Sequence, residues 1–239
     1  MPPTNGYTRK NRLLKALPDE DFARFFSELE RVKLPLRQVI QDTAQPVEHV
    51  YFIEEGVTSI LTIMADASAV EVGMVGAEGM VGVAALLDTN ASTPHVIVQI
   101  PDSAHRMPVA RCKKAFEESA AVRAAILPFA SDMLSLSSQT AACNRLHSIE
   151  QRCARWLLMA YDRVKTETMP MTHEFLASML GVRRAGVTTT AGELQRSGLI
   201  SYRQREITIR DREGLEALAC ECFQADHNRL NRLTFVHVQ

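Results

Sequence analysis

Seven side chains in the last third of the chain have the types and spacing to grip a nucleic acid. They are Thr172, then Arg183, Arg184, Thr188 and Thr189, then Arg203 and Arg205. A guanidinium presents a planar fork of donors that fits the O6 and N7 edge of guanine or a phosphate. Threonine hydroxyls one helical turn further along could add contacts to bases or to the sugar–phosphate backbone. Other chemistry finds little support. No nucleophile–base arrangement, metal-ligand spacing or glycine-rich phosphate loop of the Lys-Ser/Thr type is present, so no enzyme, metal or cofactor is expected. The cysteines Cys112, Cys143, Cys153, Cys220 and Cys222 are odd in number and scattered, which suggests reduced thiols. Cys220-x-Cys222 reads as part of a helix. Two residues apart there, the side chains point about 200° from each other, a poor chelate, and they read as small buried hydrophobes.

The elements that must hold those donors run from Thr172 to Ile200. Phe175, Leu176, Met179 and Leu180 recur at helical spacing behind Thr172, a good helix start. Gly181 breaks the pattern, and a second helix follows through Val187 and Leu194 to Gly198. Leu176, Leu180, Val182 and Val187 fall where the two helices would pack, with the small Ala177 allowing a close crossing. Such a helix-turn-helix puts Arg183, Arg184, Thr188 and Thr189 outward. The alternative is an ordinary helical hairpin with a solvated basic face. Leu199–Tyr202 and Glu206–Ile209 then read as two short strands around a polar turn, a wing whose tip carries Arg203 and Arg205.

The rest of the chain supplies a β-rich half and a helical spine. Short β-like runs occur at Val32–Leu34, Gln38–Ile40, His49–Ile53, Thr58–Ile63, Val70–Met74 and His95–Ile100, separated by turn residues, as in a small barrel or sandwich. The glycine-rich stretch Met74–Leu87 could offer backbone amides to an anion or simply let the sheet turn. Val109–Glu118 reads as a helix. After it, Val122, Ile126, Phe129, Met133, Leu136, Thr140 and Cys143 alternate steps of four and three, a heptad seam suited to a paired helix. The other reading is a helix packed on its own domain. Pro128 should kink this helix or mark its true start, and Asn144-Arg145 is a plausible hinge. Ser148–Val164 is a further helix, and the final residues look peripheral.

The formal net charge is −1, which selects no partner by itself. Lys165–Arg212 holds eight Lys or Arg against five Asp or Glu, a mild basic bias that a dimer would double. No run of 18 or more apolar residues and no signal-peptide pattern occurs, so a cytoplasmic protein without a membrane span is expected.

A β-rich domain, a heptad helix and a winged helix-turn-helix, in that order, resemble the Crp/Fnr family of transcription regulators. The most specific residues are Thr172-x-x-x-Leu176-Ala177-x-x-x-Gly181-Val182-x-Arg184 with Leu194 and Gly198-Leu199-Ile200. The resemblance implies an α+β chain: a double-stranded β-roll sensor domain at 12–118, a dimerisation helix and hinge at 119–145, and a winged helix-turn-helix DNA-binding domain at 146–239. It implies a homodimer reading a roughly palindromic duplex, with RNA polymerase a candidate partner. Arg184 matches a position that contacts guanine in the family, whereas Ala185 and Thr189 replace its usual Glu and Arg. The family's cyclic-nucleotide pocket should be vestigial here. Around Gly79 and Gly82 its carboxylate position holds Val83, and its Arg-Ser/Thr pair is Thr93-Pro94, so cyclic AMP is not expected to bind and the effector is unknown. The oxygen-sensing branch's N-terminal cysteine cluster is missing, because no cysteine precedes Cys112. Haem through His49, His95 or His105 remains open. The competing function is an effector-binding sensor acting through protein contacts.

Overall fold

The computed structural model describes residues 9–87, 94–164 and 166–232. In chain order the elements are α1 (Arg12–Lys15), α2 (Asp19–Phe26), β1 (Glu30–Leu34), β2 (Val39–Gln41), β3 (His49–Ile53), β4 (Val57–Ile63), β5 (Ala69–Val75) and β6 (Met80–Val81). Next come α3 (Ala84–Leu87), β7 (His95–Ile100), β8 (Asp102–Pro108), α4 (Val109–Glu118), α5 (Ala120–Leu146) and α6 (Ile149–Val164). The chain closes with β9 (Thr168–Pro170), α7 (His173–Leu180), α8 (Arg184–Arg196), β10 (Ile200–Arg203), β11 (Glu206–Ile209), α9 (Arg212–Leu218) and α10 (Cys222–Arg232). The result is a mixed helix-and-sheet chain: a β-rich N-terminal half, one long helix and a C-terminal helix-turn-helix.

Two four-stranded sheets have the orders β1-β8-β3-β6 and β2-β7-β4-β5. In the first, β8 lies antiparallel between β1 and β3, with Arg106 opposite Glu30 on one side and Tyr51 on the other. Strand β8 is not evident in the sequence, because its alternation is masked by Ser103 and His105. Both are buried around Glu54. Ser103 Oγ donates to Glu54 Oε2 at 2.5 Å, Arg31 Nε donates to the same oxygen at 2.9 Å, and His105 Nδ1 lies 3.6 Å from Oε1. Burial pushes the Glu54 carboxyl up, but these hydrogen bonds outweigh it and hold the group low. At the same end of β3, Asn11 Nδ2 donates to the carbonyls of Ile53 and Gly79, while its Oδ1 caps α1.

The chain clusters into two compact units. One contains Met1–Thr58, Val75–Leu134 and Arg229–Gln239; the other contains Ser59–Met74 and Ser135–Asn228. The division thus falls inside α5, between Leu134 and Ser135. Ser59–Met74 clusters with the C-terminal half because Glu71 of β5 reaches α6: Trp156 Nε1 donates to Glu71 Oε1 at 3.0 Å. Helix α5 runs through Pro128 without ending. The break expected at Asn144-Arg145 comes later, at His147-Ser148. There Ser148 and Gln151 cap each other reciprocally, Gln151 N to Ser148 Oγ at 3.2 Å and Ser148 N to Gln151 Oε1 at 3.1 Å. Among the described residues α5 is long and apolar enough, by length and composition, to cross a membrane, with 33% of its most apolar window buried.

Candidate nucleic-acid interface

Helices α7 and α8 form the expected bihelical corner, and local chemistry explains its ends. Thr172 Oγ1 accepts from Phe175 N at 3.1 Å and starts α7. Gly181 ends it with φ +62° and ψ +40°, and a β-carbon there would also press into Val70 Cγ2. Arg152 donates from Nη2 to the carbonyl of Leu180, placing a buried cation at the negative end of α7. Leu176, Ala177, Leu180, Val187, Ala191 and Leu194 are buried between the helices. Thr190 is buried too, at 6% exposure.

The wing is three-stranded, not two-stranded, with the order β10-β11-β9. Thr168–Pro170, ahead of α7, supplies the third strand, Met169 pairing with Ile207. Its tip is a two-residue turn. Gln204 and Arg205 both have positive φ, +50° and +66°, between the paired Arg203 and Glu206, the backbone of a type I′ hairpin.

Arg183, Arg184, Thr188, Thr189, Arg203 and Arg205 are all exposed. Among the described residues none of the four arginines forms an ion pair within the chain. Arg183 is the N-cap of α8 and Arg184 its first residue, so both project at the positive end of the helix, where an anion is favoured. Thr188 Oγ1 donates to the Arg184 carbonyl at 3.0 Å and Thr189 Oγ1 to the Ala185 carbonyl at 3.2 Å, so each hydroxyl must turn outward to donate to a ligand. Thr172 is half-buried with its oxygen engaged as a cap.

Sequence reasoning missed His173. Its ring stacks on Tyr202 with centroids 4.3 Å apart, and its Nδ1 lies 3.1 Å from Thr188 Oγ1. Because the Thr188 proton is given to Arg184, Nδ1–H must be the donor to Thr188 Oγ1. Burial, aided by Arg184, lowers the His173 pKa. His173 therefore links α7 to α8 and to the wing.

The other expected sites fare differently. Of the heptad seam, Val122, Ile126, Phe129, Leu136 and Cys143 are buried within their own chain, and Met133 and Thr140 are half-buried. That stripe is occupied inside the protomer. Among the residues α5 leaves exposed, Leu127, Ser131, Leu134, Ser138, Ala141 and Arg145 form a second stripe, roughly 150° around the helix from the first. A four-three repeat in sequence cannot say which partner a stripe meets. Gly79, assigned to an effector pocket, instead packs under the Phe129 ring, which leaves no room for a β-carbon. Gly82 has φ +96° beside Gln41 and Val50, and Val83 is half-buried. Thr93 lies outside the described residues. His105 is enclosed beside Glu54, and burial lowers its pKa.

Residues 151–218 match the family model described as a Crp-like helix-turn-helix domain. No curated protein matches the chain in a sequence comparison. Among solved structures, the chain is similar to a protein from Eubacterium rectale assigned to the crp/fnr family of transcriptional regulators. The TM-score is 0.69 at 17% identity, covering 86% of this chain and 96% of that one. It is also similar to the CRP/FNR-family transcriptional regulator TTHA1359 of Thermus thermophilus, with TM-score 0.65, 21% identity and coverage of 80% and 98%. A third is the c-di-GMP-responsive global regulator CLP of Xanthomonas campestris, with TM-score 0.66, 19% identity and coverage of 80% and 99%. The chain thus carries a Crp-like helix-turn-helix domain on the fold of the Crp/Fnr family of transcriptional regulators.

Proposed function

We propose that the protein is a sequence-specific DNA-binding transcription regulator that acts as a homodimer. The observation that carries this reading is the exposed, unpaired set Arg183, Arg184, Arg203 and Arg205, mounted on packed elements and divided between a helix start and a hairpin tip. Arg184, with Arg183 beside it, reads base edges in the major groove, and the wing arginines hold phosphates. Two heads related by a two-fold axis take half-sites about one helical turn apart, a roughly palindromic site. Selection of bound duplexes from a random pool is expected to return such inverted half-sites; recovery of unrelated sequences would contradict the reading.

The dimer contact is the exposed α5 stripe centred on Leu127 and Leu134, exposed at 46% and 71%. A charge at its centre should split the pair: Leu134→Glu is expected to sediment as a monomer where the native chain sediments as a dimer. The turn at Gly79–Val83 does not hold cyclic AMP, because Val83 brings no carboxylate for a ribose hydroxyl and Thr93-Pro94 no arginine for the phosphate. Calorimetry with cyclic AMP should show no heat of binding.

A further inference from the structure

We propose that Cys143, His147, Cys220 and Cys222 form a tetrahedral site for one zinc-class divalent cation. The sequence hides this set, because 77 positions separate Cys143 from Cys220. Cys220 and Cys222 also read as one continuous helix, but α9 ends at Leu218 and Ala219 turns extended, with φ −63° and ψ 152°. Cys220 therefore sits in a break and Cys222 begins α10, so the two thiols converge instead of diverging by a half-turn. They meet Cys143 and His147, which are four apart on one face at the end of α5.

The geometry is that of a single ion. One ligand atom from each residue can be chosen so that all lie within 4.8 Å of one another. Cys143 Sγ is 3.5 Å from Cys220 Sγ, and Cys222 Sγ is 3.7 Å from His147 Nδ1. A tetrahedron with zinc–sulfur bonds of about 2.3 Å and a zinc–nitrogen bond of about 2.0 Å has edges of roughly 3.5–3.8 Å. The surroundings fit as well. With Nδ1 facing the sulfurs, His147 Nε2 points at Glu221 Oε2, 3.2 Å away, the carboxylate–histidine arrangement that orients a metal-bound imidazole. Gln139 Nε2 donates to Cys222 Sγ at 3.0 Å. Hydrogen bonding among the thiols, Cys220 foremost, holds Cys143 low and pushes Cys220 up. The three cysteines are buried at 4% exposure or less, yet a pocket of thiols faced by an imidazole and an amide donor is not an apolar core. On loading, each thiol still protonated releases its proton to solvent as its sulfur–metal bond forms, and no electron moves. The ion ties the end of α5 to the α9–α10 break that follows the wing, and it does not depend on DNA binding.

Titrating the reduced, tag-free full-length protein with Co2+ tests the site. One equivalent should bind with the visible bands of a tetrahedral ion and the near-ultraviolet absorption of thiolate ligation, and Zn2+ should bleach both. Cys220→Ser should abolish tight binding, while Cys112→Ser should leave it intact. Glu221→Gln alters a mostly exposed side chain and so spares the fold; it should weaken binding about 10–100-fold. An octahedral spectrum, no stoichiometric binding, or undiminished binding by folded Cys220→Ser would overturn the site. So would a native chain that only forms a Cys143–Cys220 disulfide in air and takes up no metal.

Discussion

Arginine occurs in two opposite settings within the Crp-like domain. Arg152 and Arg155 on α6 are exposed by only 8% and 6% and meet partners inside the chain, although the buried Arg152 Nε has none. Arg152 closes α7, while Arg155 Nε and Nη2 reach Asp226 Oδ2 at 2.8 and 2.5 Å and Nη2 also reaches Thr140 Oγ1 at 3.1 Å. Arg183, Arg184, Arg203 and Arg205 stand in solvent with no ion pair among the described residues. A buried cation needs its partner, since an unpaired charge inside is costly. An exposed unpaired cation costs the fold nothing and stays available. The first pair should govern stability and the second group binding, and substitutions can separate the two.

The largest effect should come from the buried set. Asp226→Ala leaves Arg155 without its anion and should lower unfolding stability by about 3–5 kcal/mol, as read by denaturant unfolding. Next is Glu71, fully enclosed beneath Trp156. Burial raises its pKa from 4.5 to about 7, against hydrogen bonds from Ser59 and Trp156. Between those values the folded chain holds a proton that the unfolded chain has lost. Stability from this group is therefore full below pH 4.5 and declines as pH rises to about 7, by up to about 3 kcal/mol. Glu71→Gln should remove that slope from the difference between the two stability profiles; parallel profiles would sink the assignment.

The exposed set should behave the other way. Arg203→Ala or Arg205→Ala should weaken every duplex alike and lower the slope of log affinity against log salt by about 1, with melting temperature unchanged. A change in base preference would mean that the wing reads sequence, and a fall in melting temperature would erase the contrast.

The C-terminal head was legible in sequence because its signals are local. Thr172 is a cap, Gly181 takes positive φ, and Val187 and Leu194 recur two turns apart on one face. The packing partners were not legible. The stripe from Val122 to Cys143 has the period of a paired helix, yet Phe129 meets Gly79 and Cys143 meets Cys220 in the same chain. Strand β8 stayed hidden because its polar residues are buried by pairing with Glu54, a contact 49 positions away for Ser103. Chain-distant polar contacts leave no periodic trace, so Glu71 under Trp156 and the cysteine–histidine corner emerge only in three dimensions.

The central claim is that Arg184 reads a base. Equilibrium binding of Arg184→Ala to a selected duplex, and to the same duplex altered one base pair at a time, tests it most directly. A loss of about 1–3 kcal/mol, with indifference to one base position in each half-site, is the expected result. Native affinity together with native preference at every position would contradict the account.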